Sequence, residues 1–211
     1  IMYTTVVTME RKLKKIKLVG CVHVAPQEYY DRLQEELAEG LVLYEATKSK
    51  DNTTANPSDL IKLYKIFGDM TGYVFQREGL DYSNPEWINS DLDMEVIIAS
   101  DPNFKSLVES DLPKAVTSME SMDVRDIEKF SFIFKTAMKL IPIVKFFKLG
   151  KSSHSLIGLR NDKVIIDTFE QMVDHNFITI AYGEAHLGDF IKKFKKFGFE
   201  VTEKHKVCVG I

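Results

Sequence analysis

The sequence predicts an α/β fold, with a mixed, largely parallel central sheet flanked by helices and a mostly helical insertion in the middle of the chain. Three observations carry this. A strand, helix, strand succession runs from Ile16 to Tyr44, and a helix, strand, helix, strand succession runs from Leu156 to Val209. Between them, helical spacing is punctuated by Pro85, Pro102, Pro113 and Pro142. Strands alternating with helices favour parallel pairing, because a parallel crossover needs a connection of helix length. A single domain over 1–211 follows, its insertion spanning about 50–150.

The elements are justified in order. Tyr3–Thr8 and Ile16–Val24 are rich in β-branched residues and flank the charged link Glu10, Arg11, Lys12, which reads as a hairpin. Pro26 suits a first helical turn, Leu33 and Leu37 recur at a helical interval, and Gly40 is placed to end the segment. Leu41–Tyr44 is a short continuous apolar run closing at Glu45, the pattern of a strand buried on both faces. Lys48–Pro57 is polar and rich in Asn and Thr, and reads as a loop. After the insertion, Leu159, Val164, Ile165, Phe169, Met172 and Val173 mark a helix, and Phe177–Tyr182 is a compact apolar strand. Leu187, Phe190, Ile191, Phe194 and Phe197 then share one side of an amphipathic helix, which Gly198 closes before a last strand near Val201–Val209.

Composition narrows the function. The chain has 211 residues, 45% of them apolar, which is ample for a core. With 28 Lys and Arg against 31 Asp and Glu, the net charge of −3 removes the main electrostatic argument for a nucleic-acid partner. The most apolar stretch, around Phe130–Phe147, is broken by Lys135, Lys139, Pro142 and Lys145 and fails the test of about 18 uninterrupted apolar residues for a transmembrane helix. Only Cys21 and Cys208 are present, too few for a stapled secreted scaffold, so reduced thiols and a cytoplasmic location are expected. The chain opens at Ile1, a start compatible with an upstream leader.

Two places share one pattern: Gly20, Cys21, Val22, His23 after the second strand, and Gly183, Glu184, Ala185, His186 after the Phe177–Tyr182 strand. Glu45 closes the strand between them in sequence. Ends of parallel strands are where open α/β sheets gather ligands, so two imidazoles and a carboxylate converging there would form an open metal shell for Zn, Mn, Fe or Co. Arg160 is the candidate cation for a tetrahedral anion. Against this stands a bland alternative, in which Glu45 pairs with Arg160 and the same residues form a structural network. Tyr82 and Asp91 could line the pocket, Asp91 as an extra ligand or base, although Asp91 before Leu92 is equally an ordinary helix cap. Cys21 reads more simply as a small apolar residue than as a nucleophile.

These residues carry a resemblance. The run LVGCVHVAPQEYYDRLQEELAEGLVLYEA resembles the opening of the TraB, PrgY, GumN and Tiki group, a strand ending in Gly-x-x-His, a helix, and a strand ending in Glu. LRNDKVIIDTFEQMVDHNFITIAYGEAHLGDFIKKFKKFGFEV is similar to the group's closing half, and FQREGLDYSNPEWINSDLDMEV, with Tyr82, Trp87, Asp91 and Leu92, is similar to a stretch of some bacterial members. The resemblance implies a fold shared with erythromycin-esterase-like and ChaN-like proteins and a metal-dependent peptidase chemistry of the kind proposed for the Tiki branch. It places functional roles on His23, Glu45, Arg160 and His186. One departure is Leu159, which stands where many members have an acidic residue before the arginine; Glu184 either substitutes for it or faces solvent.

The expectation is therefore a metal-dependent, peptidase-like hydrolase. His23, Glu45 and His186 hold a divalent ion (Mn, Co, Zn or Fe), and Arg160, Tyr82, Asp91 and Glu184 contact a peptide or small-molecule substrate. Two alternatives stay open: a metal-independent esterase-like hydrolase with His23 or His186 as base, and a non-catalytic protein binding a peptide, a pheromone-like ligand or haem.

Overall fold

The computed structural model describes residues 2–47, 57–140 and 152–210. A six-stranded sheet forms its centre. Strands β1 (Met2–Arg11) and β2 (Lys14–Cys21) make an antiparallel hairpin that turns at Lys12, whose φ of 55° is left-handed. After β3 (Val24–Ala25), helix α1 (Gln27–Glu36) leads into β4 (Leu41–Tyr44). The insertion contributes α2 (Pro57–Thr71), β5 (Val74–Phe75), α3 (Gln76–Gly79), β6 (Ile88–Asn89), α4 (Met94–Ser100), α5 (Pro102–Ser106), α6 (Leu112–Glu120) and α7 (Val124–Leu140). The closing half is α8 (Ser152–Gln171), β7 (Phe177–Gly183), a 3-10 turn (Glu184–His186), α9 (Leu187–Lys196) and β8 (Glu200–Val209).

Strand order is β6-β4-β7-β2-β1-β8. The strands β2, β7, β4 and β6 are parallel, and the antiparallel β1 and β8 complete one side. The α/β class with a largely parallel sheet and flanking helices is thus present. Because β7 enters between β2 and β4, the strand carrying the second Gly-x-x-His lies between the strand of the first and the strand of Glu45.

Strand alternation explains the two-faced core, since successive side chains leave opposite faces of a sheet. Val19, Val42 and Ala181 face one side, where they meet Tyr29, Tyr30 and Leu33 of α1 and Leu37 just after it. Leu18, Leu43, Ile180 and Tyr182 face the other, against Val164 and Ile165 of α8 and Phe190 and Phe194 of α9. Both sets are shielded, so the strands read as continuous apolar runs. Gly40 ends the α1 connection at φ 77°, a conformation costly for other residues, and a Cβ there would sit 2.9 Å from the Phe177 carbonyl oxygen.

Two details refine the sequence reading. The insertion is not wholly helical: β3 pairs with β5, and Ile88–Asn89 joins the main sheet beside β4, a strand too short for alternation to register in sequence. Of the Lys48–Pro57 loop, residues 48–56 lie outside the described residues, and Pro57 already begins α2. Among the described residues, no helix is long and apolar enough to cross a membrane.

Candidate functional site

The strand order assembles the site. His23 follows β2, Glu45 follows β4, and His186 ends the 3-10 turn after β7, all at the C-terminal ends of three adjacent parallel strands. Arg160 reaches the same place from α8. Its Nη2 donates to Glu45 Oε1 at 2.6 Å and to Asp91 Oδ2 at 2.7 Å, while its Nε donates to Asp91 Oδ1 at 2.9 Å. Glu45 Oε2 accepts the Gly183 amide at 2.6 Å. His23 and His186 both act electrostatically on Glu45, so His23, Glu45, Arg160 and His186 share one neighbourhood.

Each motif glycine has a steric reason. A Cβ on Gly20 would lie 1.8 Å from Glu184 Oε2 and 3.0 Å from the Thr5 carbonyl oxygen, and one on Gly183 would lie 3.2 Å from Glu45 Oε2. A carboxylate therefore packs over both turns. Tyr29 and Tyr30 of α1 secure the first turn from below, donating to the carbonyls of Gly20 and Val22 at 3.2 and 3.0 Å.

Both imidazoles are held by side-chain amides. His186, 5% exposed, lies 2.6 Å through Nδ1 from Asn161 Oδ1. Asn161 Nδ2 donates to the His186 carbonyl at 3.2 Å and to Asp189 Oδ2 at 2.9 Å, which leaves Oδ1 to accept from Nδ1–H. The half-buried His23 likewise meets Gln76 Oε1 through Nδ1 at 3.1 Å, and the Gln76 backbone amide donates to the His23 carbonyl at 2.8 Å. The Nε2 of each ring thus carries a lone pair, and neither makes a hydrogen bond among the described residues.

Charge follows from burial and neighbours. Burial would push the Glu45 carboxyl up, but Arg160, His186 and His23 outweigh it and hold it at about 2. Burial pushes His186 down to about 4, with Glu45 opposing, and pushes His23 down in the same way. Arg160 faces two carboxylates, so the cluster has an excess of negative charge. Among the described residues, no group of three or more His, Cys, Asp and Glu side chains is arranged to hold a metal ion. Each imidazole leaves an Nε2 lone pair open, while Glu45 has both oxygens already engaged.

Asp91 is neither cap nor free base. Its side chain is 0% exposed and accepts from Arg160, from Thr47 Oγ1 at 2.9 Å and from the Tyr182 hydroxyl at 2.9 Å. Tyr82 reaches the site through Gln76, whose Nε2 donates to its oxygen at 3.1 Å, and packs on Tyr44 and Trp87. Glu184 is turned away, accepting from Thr5 N at 2.9 Å and Thr5 Oγ1 at 2.7 Å, and makes no contact with the Arg160 cluster. Cys21 is buried, and burial followed by Glu45 and Glu184 pushes its thiol up, which removes the nucleophile reading. His154 lies in the first turn of α8, and its side chain falls outside the described residues.

Sequence reasoning missed Asn161, Gln76 and Tyr64. A signal existed for Asn161, a poor helix former directly after Arg160 in a helix interior. Gln76 and Tyr64 carry no local mark. No family model matches the chain, and no curated protein or solved structure matches it either.

Proposed function

We propose that the chain is a metal-dependent hydrolase of peptide or amide bonds and a member of the TraB, PrgY, GumN and Tiki group. The observation that carries this reading is the imidazole pair: each Nδ1 is held by a side-chain carbonyl, leaving each Nε2 lone pair available beside an excess of carboxylate. A histidine pushed down to about 4 is a weak base at neutral pH, yet it needs no deprotonation to bind a metal, which favours the ligand role for His186.

His23 and His186 would hold the ion through Nε2, with Glu45 as the carboxylate partner, a donor set suited to Mn, Co, Zn or Fe. Bound there, such an ion supplies a Lewis acid for a carbonyl and makes water acidic enough to give hydroxide near neutral pH. Arg160 keeps Glu45 ionised and oriented, and Asp91 holds Arg160 from behind. Nη1 of Arg160 lies outside those bonds and is the part left for a peptide or other small-molecule substrate. With both cysteines free, we place this activity in the cytoplasm.

The Glu45 to Arg160 pair favours a second reading, a metal-free esterase-like hydrolase in which His23 or His186 takes a proton from water. Elemental analysis of protein purified without chelator, followed by peptide-library and nitrophenyl-ester screens in each metal, separates the two. The expected result is about one ion per chain, activity lost on chelation, and His23→Ala and His186→Ala folded but unable to take up metal. Activity surviving exhaustive chelation leaves the second reading. Undiminished metal in both variants, or no hydrolysis of any probe, overturns the first.

A further inference from the structure

Most tyrosine hydroxyls around the strand ends are committed. Tyr29 and Tyr30 donate to backbone carbonyls of the first turn, Tyr182 donates to Asp91, and the Tyr82 oxygen accepts from Gln76. The hydroxyl of Tyr64, on α2, has no hydrogen-bond partner among the described residues.

Its ring is nevertheless fixed on both sides. It lies tilted against His23, with centroids 4.8 Å apart, and stacked on Phe75 at 5.5 Å and 17°. Contact with the His23 ring places Tyr64 at the site. A phenol keeps its proton at neutral pH and so serves as a donor, not a base. Arg160 meanwhile has Nε and Nη2 bound to Asp91 and Glu45. Tyr64 is therefore an O–H donor at the histidines that no carboxylate has claimed.

We propose that Tyr64 is a catalytic residue whose hydroxyl donates a hydrogen bond to the carbonyl oxygen of an ester or amide substrate as that oxygen becomes negative. The proposal rests on the hydrolase reading above. In the step it assists, the water oxygen bonds to the carbonyl carbon and the C–O or C–N bond breaks. The water's proton leaves on the alcohol or amine, and Tyr64 keeps its own proton throughout. A donor aimed at a developing oxyanion strengthens as charge grows, so its contribution falls on kcat more than on KM. It also gives the insertion a chemical task, because α2 brings the hydroxyl in from outside the central sheet.

Tyr64→Phe tests this, since it preserves both ring contacts and removes only the oxygen. With p-nitrophenyl acetate as the probe, we expect kcat to fall about 100-fold with KM nearly unchanged and the melting temperature preserved. A kcat within about threefold of the unaltered protein overturns the Tyr64 role while the hydrolase reading stands. Absence of hydrolysis of this ester and of every peptide probe by the unaltered protein overturns both. Phe75→Leu disturbs the ring packing with the hydroxyl intact; if it reproduces the whole loss, the effect is one of packing and the proposal fails.

Discussion

At the first Gly-x-x-His turn, His23 is half-buried and its Nδ1 is held by Gln76, which arrives from the insertion; at the second, His186 is buried and held by Asn161 of α8. The second imidazole is thus supported by the same helix that carries Arg160, one of the layers of the core. The first depends on α3 docking through the β3 and β5 pair. The glycines differ in the opposite sense. Gly20 is hemmed in by a carboxylate and a backbone carbonyl, and Gly183 at looser distances by the Glu45 carboxylate and the His186 ring. One pattern, repeated in sequence, therefore marks one histidine set by the scaffold and one set by the insertion.

Removing what the turns share has the largest expected effect. Arg160→Met leaves Glu45 and Asp91 buried without their cation, and we expect a loss of about 3–5 kcal/mol in urea unfolding. A loss below about 1 kcal/mol would show that the cluster is not the common anchor of the two turns.

Acid distinguishes the histidines next. The folded protein holds His186 at about 4, below the usual imidazole value near 6.5, so between these values the unfolded chain binds more protons than the folded one. With chelator present, stability is complete above about pH 6.5 and falls by up to about 3 kcal/mol as pH drops towards 4. Glu45, lowered from 4.5 to about 2, contributes stability that is complete above about pH 4.5 and is lost progressively between that value and about 2. His186→Gln should flatten the dependence more than His23→Gln does. Equal slopes in the two variants would erase the difference in burial on which the comparison stands.

The smallest expected effect is steric. Gly20→Ala must displace Glu184 from Thr5 or shift β1, which we expect to lower stability by about 1–3 kcal/mol. Gly183→Ala asks Glu45 to give by a few tenths of an ångström and should stay below about 1 kcal/mol. The reverse order, measured by thermal unfolding, would mean that the second turn is the tighter one.

Much of the site was legible because its residues sit where local patterns end. Glu45 closes an apolar run, and both histidines follow glycines at the ends of apolar runs, so periodicity alone placed them at strand ends. Asp91 was legible only as a candidate, since its partner lies 69 positions away on another helix. Glu184 was legible only as a choice between a site residue and a solvent-facing one, for a similar reason: its partner Thr5 is 179 positions distant, across a strand pairing that local sequence does not encode.

By itself, the sequence determined the longer elements, because helix and strand periodicity are set by which side chains must leave water, a matter of near neighbours. It also determined the kinds of group at each strand end. Only the tertiary structure decided the strand order that puts β7 between β2 and β4, and with it the pairing of Glu45 with Arg160 and the arrival of Gln76 and Tyr64 at His23. Such choices rest on long-range packing and on satisfying buried charge, and those energies exist only once distant segments share a dry interior.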